Sequence, residues 1–163
     1  MVTLDIGCGG RKKGDVGIDI RKIEGVTDYV CDVSKRLPFE DNKFSAIMAS
    51  DVYEHFPRGQ AVEILKEWVR VMEHGGTITI KMPNLHTLAS AYVKGEIDVN
   101  EFQRKVYGGG TLSLDEYDMH KQGFDHKSIV DILKEVGLVN IRVQPRGIDS
   151  DWSNLIVQAE KAK

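Results

Sequence analysis

The stretch Leu4-Asp5-Ile6-Gly7-Cys8-Gly9-Gly10, residues 4–10, decides how the chain begins to fold. Its apolar first half is typical of a buried strand, and the three glycines that follow predict a tight loop at the strand's end. Glycine has no Cβ atom, so the backbone of such a loop can come close to a ligand. The stretch therefore predicts a ligand-binding loop at the carboxyl end of the first strand.

Further strands and helices along the chain predict an α/β fold. Within Gln60–Met72 the apolar residues recur at helical spacing, which predicts an amphipathic helix packed on a sheet. The last two predicted strands alternate apolar and polar residues, which indicates antiparallel pairing. We predict a doubly wound, mostly parallel seven-stranded sheet with an antiparallel closing strand, from the strands Val2–Ile6, Val16–Ile20, Tyr29–Val33, Phe44–Ser50, Thr77–Met82, Val139–Val143 and Leu155–Ala159.

Three carboxylates lie in or at the end of predicted strands, as the glycine loop does. Asp5 lies in the first predicted strand, Asp19 ends the second and Asp32 ends the third. Parallel strands would bring them to one rim of the sheet, where Asp19 could accept ribose hydroxyls and Asp32 could meet a base. The alternative is that each caps a local turn. A dinucleotide fingerprint is not complete, because Lys12 stands where its third glycine is required.

Composition limits the classes of function. The chain has 163 residues, 41% of them hydrophobic and 29% charged, and a net charge of −3, so no large basic surface for nucleic acid is expected. Cys8 and Cys31 lack the spacing of zinc motifs, and we predict no metal site. No apolar run is long enough to span a membrane and no leader precedes the first strand, so we expect a cytoplasmic protein.

Several motifs in the first half of the chain are similar to those of class I S-adenosylmethionine-dependent methyltransferases of the type 11 group. The resemblance is carried by the glycine stretch, Gly17-Ile18-Asp19-Ile20, Cys31-Asp32-Val33, residues 37–44 and Glu73-His74-Gly75-Gly76. It spans residues 2–84 and implies a Rossmann-like methyltransferase fold with S-adenosylmethionine as cofactor. The activity it implies is methyl transfer.

The resemblance also implies a set of cofactor-binding residues. In such enzymes the glycine loop surrounds the methionine end of the cofactor, the second strand ends at the ribose, the third borders the adenine and the fourth ends below the sulfonium. In this sequence the corresponding positions are Asp5, Gly7, Cys8 and Gly9, then Asp19 and Ile20, then Asp32 and Val33, then Ser50 and Asp51.

The sequence departs from that group in two respects. Helices before the first strand are absent, and the helix between the first two strands is reduced to Arg11–Asp15. We predict one domain over residues 1–163 in which a helical and loop insertion, residues 84–125, acts as a lid. Within it, Gly108–Phe124 has a glycine run for a hinge and apolar residues for closure, Leu112 and Leu114 among them.

Methyl transfer needs little help from the protein beyond positioning, unless the acceptor is a hydroxyl that must lose a proton. His55, just after the fourth strand, and His120, in the irregular loop, are the predicted catalytic residues. We expect a small-molecule or sugar-linked acceptor, and the oligomeric state stays open. Alternatives are a cofactor-binding module of the same fold without turnover and a dinucleotide-binding oxidoreductase.

Overall fold

The computed structural model describes residues 1–108, 116–144 and 152–163 of the chain. Its seven strands lie in one sheet. They are β1 Thr3–Ile6, β2 Val16–Asp19, β3 Tyr29–Val30, β4 Phe44–Ser50, β5 Met72–Pro83, β6 Leu138–Gln144 and β7 Asn154–Lys161.

The strand order is β3-β2-β1-β4-β5-β7-β6. Strands β1 to β5 pair in parallel, whereas β7 pairs antiparallel to both β5 and β6. Strand β1 lies between β2 and β4. From β1 the sheet continues to β2 and β3 on one side and to β4 and β5 on the other, so the strand order reverses at β1. A crevice at the carboxyl ends of the strands is expected at such a reversal. The predicted doubly wound sheet with its antiparallel closing strand is confirmed.

Four α-helices accompany the sheet in the described part of the chain: α1 Ala61–Val71, α2 Leu85–Val93, α3 Val99–Tyr107 and α4 His126–Glu135. The apolar face of α1, with Ile64, Leu65 and Trp68, is buried in the main core. The Trp68 indole N–H donates a hydrogen bond of 2.9 Å to the Val33 carbonyl. The helix thereby fixes the turn after β3. No helix among the described residues is both long and apolar enough to cross a membrane.

The residues that begin these helices explain where they start. Asn84, Asp98 and Asp125 each accept a hydrogen bond from the backbone N–H three residues later, which satisfies a donor that the first helical turn leaves unpaired. Asp125 adds a full capping box with Ser128, which aligns α4 beside β6 and β7.

The segment after β5 has a small core of its own. Leu88 and Ala91 of α2 are buried together with Ile97 of the connection to α3, and Phe102 and Val106 of α3 pack against them. The predicted lid, residues 84–125, therefore begins as a packed helical pair. Residues 109–115, including Leu112 and Leu114 of the predicted hinge and closing surface, lie outside the described part of the chain.

Two connections differ from the sequence interpretation. β3 ends at Val30 instead of Val33, because Asp32 accepts hydrogen bonds from the backbone N–H and the hydroxyl of Ser34 and so forms a turn. The segment Arg11–Asp15 forms no helix. The Asp5 carboxylate accepts the Lys13 N–H and the Thr3 carbonyl accepts the Asp15 N–H, which draws this segment back along β1.

Candidate active site

A cavity of about 600 Å³ opens at the carboxyl ends of β1, β2 and β4. Its volume is in the range of small-molecule sites, roughly 300–1,000 Å³. The structure brings together in its lining the predicted residues Asp5, Gly7, Cys8, Gly9, Asp19, Ile20, Asp32, Val33, Ser50, Asp51 and His55. His120 is not part of the lining, but its ring centroid lies 4.9 Å from that of His55.

Gly7 and Gly9 of the glycine loop are glycines for two different physical reasons. Gly7 has a φ of +64°, and a Cβ atom there would overlap the side chain of Val52. Gly9 has a φ of +52°, and a Cβ atom there would meet no protein atom within 4 Å. Gly7 is thus required by protein packing, whereas a side chain at Gly9 would extend from the cavity wall into the space beside it.

Asp5 fixes the backbone of this loop from within. Its side chain is buried, and its Oδ2 atom accepts the Lys13 N–H at 2.5 Å. Burial raises the pKa of Asp5, while the hydrogen bonds from the Lys13 and Gly14 backbone oppose that rise. Cys8, next in the loop, has a buried thiol whose pKa burial also raises, which disfavours the thiolate.

Asp19 and Asp32 lie farther along the cavity, after β2 and at the turn after β3. The Asp19 carboxylate accepts the Gly9 N–H and the Arg21 N–H, each at 2.9 Å, so it links the glycine loop to the end of β2. The Oδ1 atom of Asp32 accepts both the backbone N–H and the hydroxyl of Ser34. Carboxylate oxygens have several acceptor sites, and these local bonds leave capacity for a ligand's hydroxyl or amino groups.

Ser50, at the end of β4, and Asp51 after it form part of the cavity wall. Lys13 Nζ donates to the Ser50 hydroxyl, which donates to Asp51 Oδ2, both at 3.1 Å. Lys81 Nζ lies 3.8 Å from the same Asp51 oxygen. Asp51 has a φ of +57°, a left-handed conformation that side chains rarely adopt and that is often found at functional sites.

These features fit a ligand with a nucleoside and an amino-acid end, as S-adenosylmethionine has. Asp19 and Asp32 offer acceptors for ribose and adenine, and the loop at Gly9 leaves room where a larger residue would fill the cavity. Nucleoside sites at such crevices typically have a glycine loop that lets the backbone come close to the ligand. They also have a carboxylate at the end of the second strand.

Sequence reasoning missed Glu54. It lies between Tyr53 and His55 in a 3₁₀ turn, and its side chain is only 1% exposed. The Glu54 carbonyl accepts the backbone N–H groups of Lys121 and Gln122, so the segment after residue 120 covers it. A glutamate beside a histidine was visible in the sequence, but its burial depends on a segment more than sixty residues away.

The carboxyl group of Glu54 faces two imidazoles. One ring nitrogen of His55, one of His120 and one Glu54 oxygen all lie within 4.8 Å of one another. Burial raises the pKa of Glu54 to about 8, and burial lowers the pKa of His55 and of His120, the latter also through the neighbouring His55. At both histidines burial therefore favours the uncharged imidazole, which has a lone pair that can accept.

The geometry agrees with the comparison to known proteins. A family model described as a methyltransferase domain matches residues 17–80. Three solved structures share the fold over nearly the whole chain. A SAM-dependent methyltransferase from Archaeoglobus fulgidus is 19% identical, with 98% of this chain and 85% of that chain covered and a TM-score of 0.64. A putative methyltransferase in complex with the Haloferax volcanii Trm112 activator is 14% identical (coverage 99% and 82%, TM-score 0.66), and a Burkholderia thailandensis 1,6-didemethyltoxoflavin-N1-methyltransferase with S-adenosylhomocysteine bound is 16% identical (coverage 99% and 71%, TM-score 0.65).

Gly9→Val tests the role of the open glycine. The branched side chain would extend into the cavity, so we expect the thermal stabilisation by S-adenosylhomocysteine to be lost. Gly25→Val is the matched control, because Gly25 has a φ of +73° and equally open surroundings but lies outside the cavity. Both variants carry the same backbone strain, and only the control should keep ligand-dependent melting. Equal retention in both would mean that Gly9 serves only as a turn.

Asp19→Ala tests the carboxylate at the end of β2. We expect calorimetry to show that S-adenosylhomocysteine binds about 1.5–3 kcal/mol more weakly, the usual size of lost hydrogen bonds to a charged group. The control is Asp28→Ala. The Asp28 carboxylate also accepts hydrogen bonds, from the Gly17 backbone N–H and from Lys12 Nζ, but it does not line the cavity. That control should lower the melting temperature without changing affinity. An Asp19 variant with unaltered affinity would remove this residue from the site.

Proposed function

We propose that the chain is a class I S-adenosylmethionine-dependent methyltransferase of the type 11 group, which the methyltransferase-domain match over residues 17–80 supports, and that it methylates a hydroxyl group of a small-molecule or sugar-linked acceptor. One observation carries the choice of a hydroxyl: the imidazoles of His55 and His120 and the buried carboxyl group of Glu54 lie together, and His55 lines the cavity. A carboxylate or an uncharged amine acceptor would need no such cluster, because its lone pair is available without loss of a proton.

The residues along the cavity divide between cofactor and acceptor. When bound, S-adenosylmethionine supplies a methyl group on a positively charged sulfur. We assign the methionine end to Asp5, Gly7, Cys8 and Gly9, the ribose to Asp19 with Ile20 beside it, the adenine to Asp32 and Val33, and the wall below the sulfur to Ser50 and Asp51. The Asp19 carboxylate and the free space at Gly9 support this assignment.

His55 and His120 form the acceptor end in this proposal. His55 lines the cavity, and His120 stacks edge-on against it from the segment that follows the helical pair. A hydroxyl group loses its proton when its oxygen is methylated, and we assign to these two imidazoles the role of favouring that loss. The remaining task is to orient the acceptor oxygen and exclude water.

A small acceptor is favoured by the size and charge of the site. The cavity is in the range that holds one or two small molecules, and acidic and basic residues both line it. The net charge of −3 provides no excess of positive charge for binding a nucleic-acid backbone. These features support a metabolite as acceptor over RNA or DNA.

We also propose that residues 84–125 act as the lid of this site within a single domain. Tyr117, Asp118 and Lys121 line the cavity, and Asp118 forms an ion pair of 3.2 Å with Arg21, which follows β2. The described part of the insertion thus contributes to the cavity and contacts the segment after β2. A ligand in the cavity would contact this segment and hold it in place.

Hydrogen exchange tests the lid. With saturating S-adenosylhomocysteine, amide exchange over residues 116–124 should slow, because the bound ligand stabilises the docked position of the segment. Exchange in α1, which faces the core, serves as the internal control and should be unaltered. If residues 116–124 exchange at the same rate with and without the ligand, they form an ordinary part of the surface.

Transfer of a labelled methyl group tests the proposed acceptor class. Incubated with labelled S-adenosylmethionine and a cell extract, the enzyme should label the small-molecule fraction and leave protein and nucleic acid unlabelled. His120→Ala should lower kcat by roughly 10²–10⁴-fold, the range for a lost proton-transfer group, with S-adenosylhomocysteine affinity unchanged. His74→Ala, a histidine outside the cavity, should match the wild type. Label in the macromolecular fraction would contradict the proposal.

A further inference from the structure

We propose that Glu54, His55 and His120 form a binding site for one divalent first-row transition-metal ion at the acceptor end of the cavity. These three side chains each direct one ligand atom to a common point, with all three atoms within 4.8 Å of one another. Two imidazoles and one carboxylate are a set that zinc, iron and cobalt ions accept readily.

Glu54 provides the first observation that points to a cation. Both of its carboxyl oxygens are buried and have no hydrogen-bond partner among the residues that the structure describes. His120 Nε2 lies 3.8 Å from Oε1, too far for a hydrogen bond. Native proteins rarely leave a buried carboxyl group without a partner, since its desolvation is costly. A metal ion between these groups would give the Glu54 carboxylate and the imidazole a shared partner.

The hydrogen bonds on the far side of each imidazole provide a second observation. The Nδ1 atom of His55 lies 3.2 Å from the Met119 carbonyl, and that of His120 lies 3.2 Å from the Val106 carbonyl. A carbonyl can only accept, so each Nδ1 atom carries the proton and each Nε2 atom carries a lone pair. Metal-binding histidines are typically oriented in this way by a backbone carbonyl.

The spacing of the ligand atoms suits this interpretation. Bonds of about 2.0–2.2 Å place the ligands of one such ion roughly 3–3.5 Å apart. Closing the observed cluster around an ion needs movements on the order of 1 Å, which small side-chain rotations supply. The described residues supply three ligands, and His55 also lines the cavity, so the ion would keep a coordination position for a ligand from that side.

The role of the ion rests on the proposed methyl transfer, although its binding does not. A divalent ion lowers the pKa of a hydroxyl group that reaches it. The acceptor would lose its proton to solvent, its oxygen would form the bond to the methyl carbon, and the carbon–sulfur bond would break with its electron pair on sulfur. His55 and His120 would then favour loss of the proton by holding the ion.

Cobalt binding to the purified full chain tests the site without any turnover. After treatment with a chelator, the wild type should bind one equivalent of Co²⁺, seen by calorimetry and by visible d–d absorption. Glu54→Gln, which keeps the shape of the side chain, and His120→Ala should each weaken binding by at least about tenfold, since even changes beyond the ligands cost about 10–100-fold. His74→Ala should bind as the wild type does.

The same titration separates the outcomes. Unaltered Co²⁺ affinity in a folded Glu54→Gln variant, or no stoichiometric binding by the wild type, would overturn the metal site. A thiolate charge-transfer band in the near ultraviolet would place the ion on Cys8 or Cys31 and would overturn it as well. Melting with S-adenosylhomocysteine, measured on the same samples, reports the cofactor site independently, so failure of the methyl-transfer proposal is distinguished from failure of the metal site.

Discussion

The close contact between the backbone of Gly7 and the side chain of Val52 is the constraint on which the rest of the site depends. Gly7 follows β1 and Val52 follows β4, and these strands are adjacent and parallel, so their chains leave the sheet side by side. Only glycine allows the loop after β1 to turn in that space. The contact holds the loop that we assign to the cofactor against the turn that carries Glu54 and His55.

Polar groups on both sides of that contact serve structure and ligand binding together. Asp5 and Asp19 each hold a backbone N–H of the loop between β1 and β2, and Asp19 also faces the cavity. Because one carboxylate can do both, the sequence alone could not show which of the three are local caps and which accept hydrogen bonds from a ligand. In the structure Asp19 is a local cap, and its remaining acceptor capacity is what the ribose assignment depends on.

The acceptor end is built from parts of the chain that are far apart in sequence. The 3₁₀ turn after β4 supplies Glu54 and His55, and the segment before α4 supplies His120 and covers the Glu54 side chain. Burial in this place removes water from a carboxyl group and two imidazoles, which is costly unless a cation or a proton is shared among them. Chemistry at this end therefore depends on how the insertion is docked.

The sequence by itself determined the sheet, the order of its elements and the residues that line the cavity from β1 to β4. These follow from local signals: apolar runs mark strands, glycines mark the loop, and parallel strands bring their carboxyl ends to one edge. Only the tertiary structure decided that Glu54 is buried, that it faces His55 and His120, and that Gly7 and Gly9 are glycine for different reasons. Burial and ligand clusters arise from contacts between distant segments, and no local pattern of residues records which distant segment will cover a given side chain.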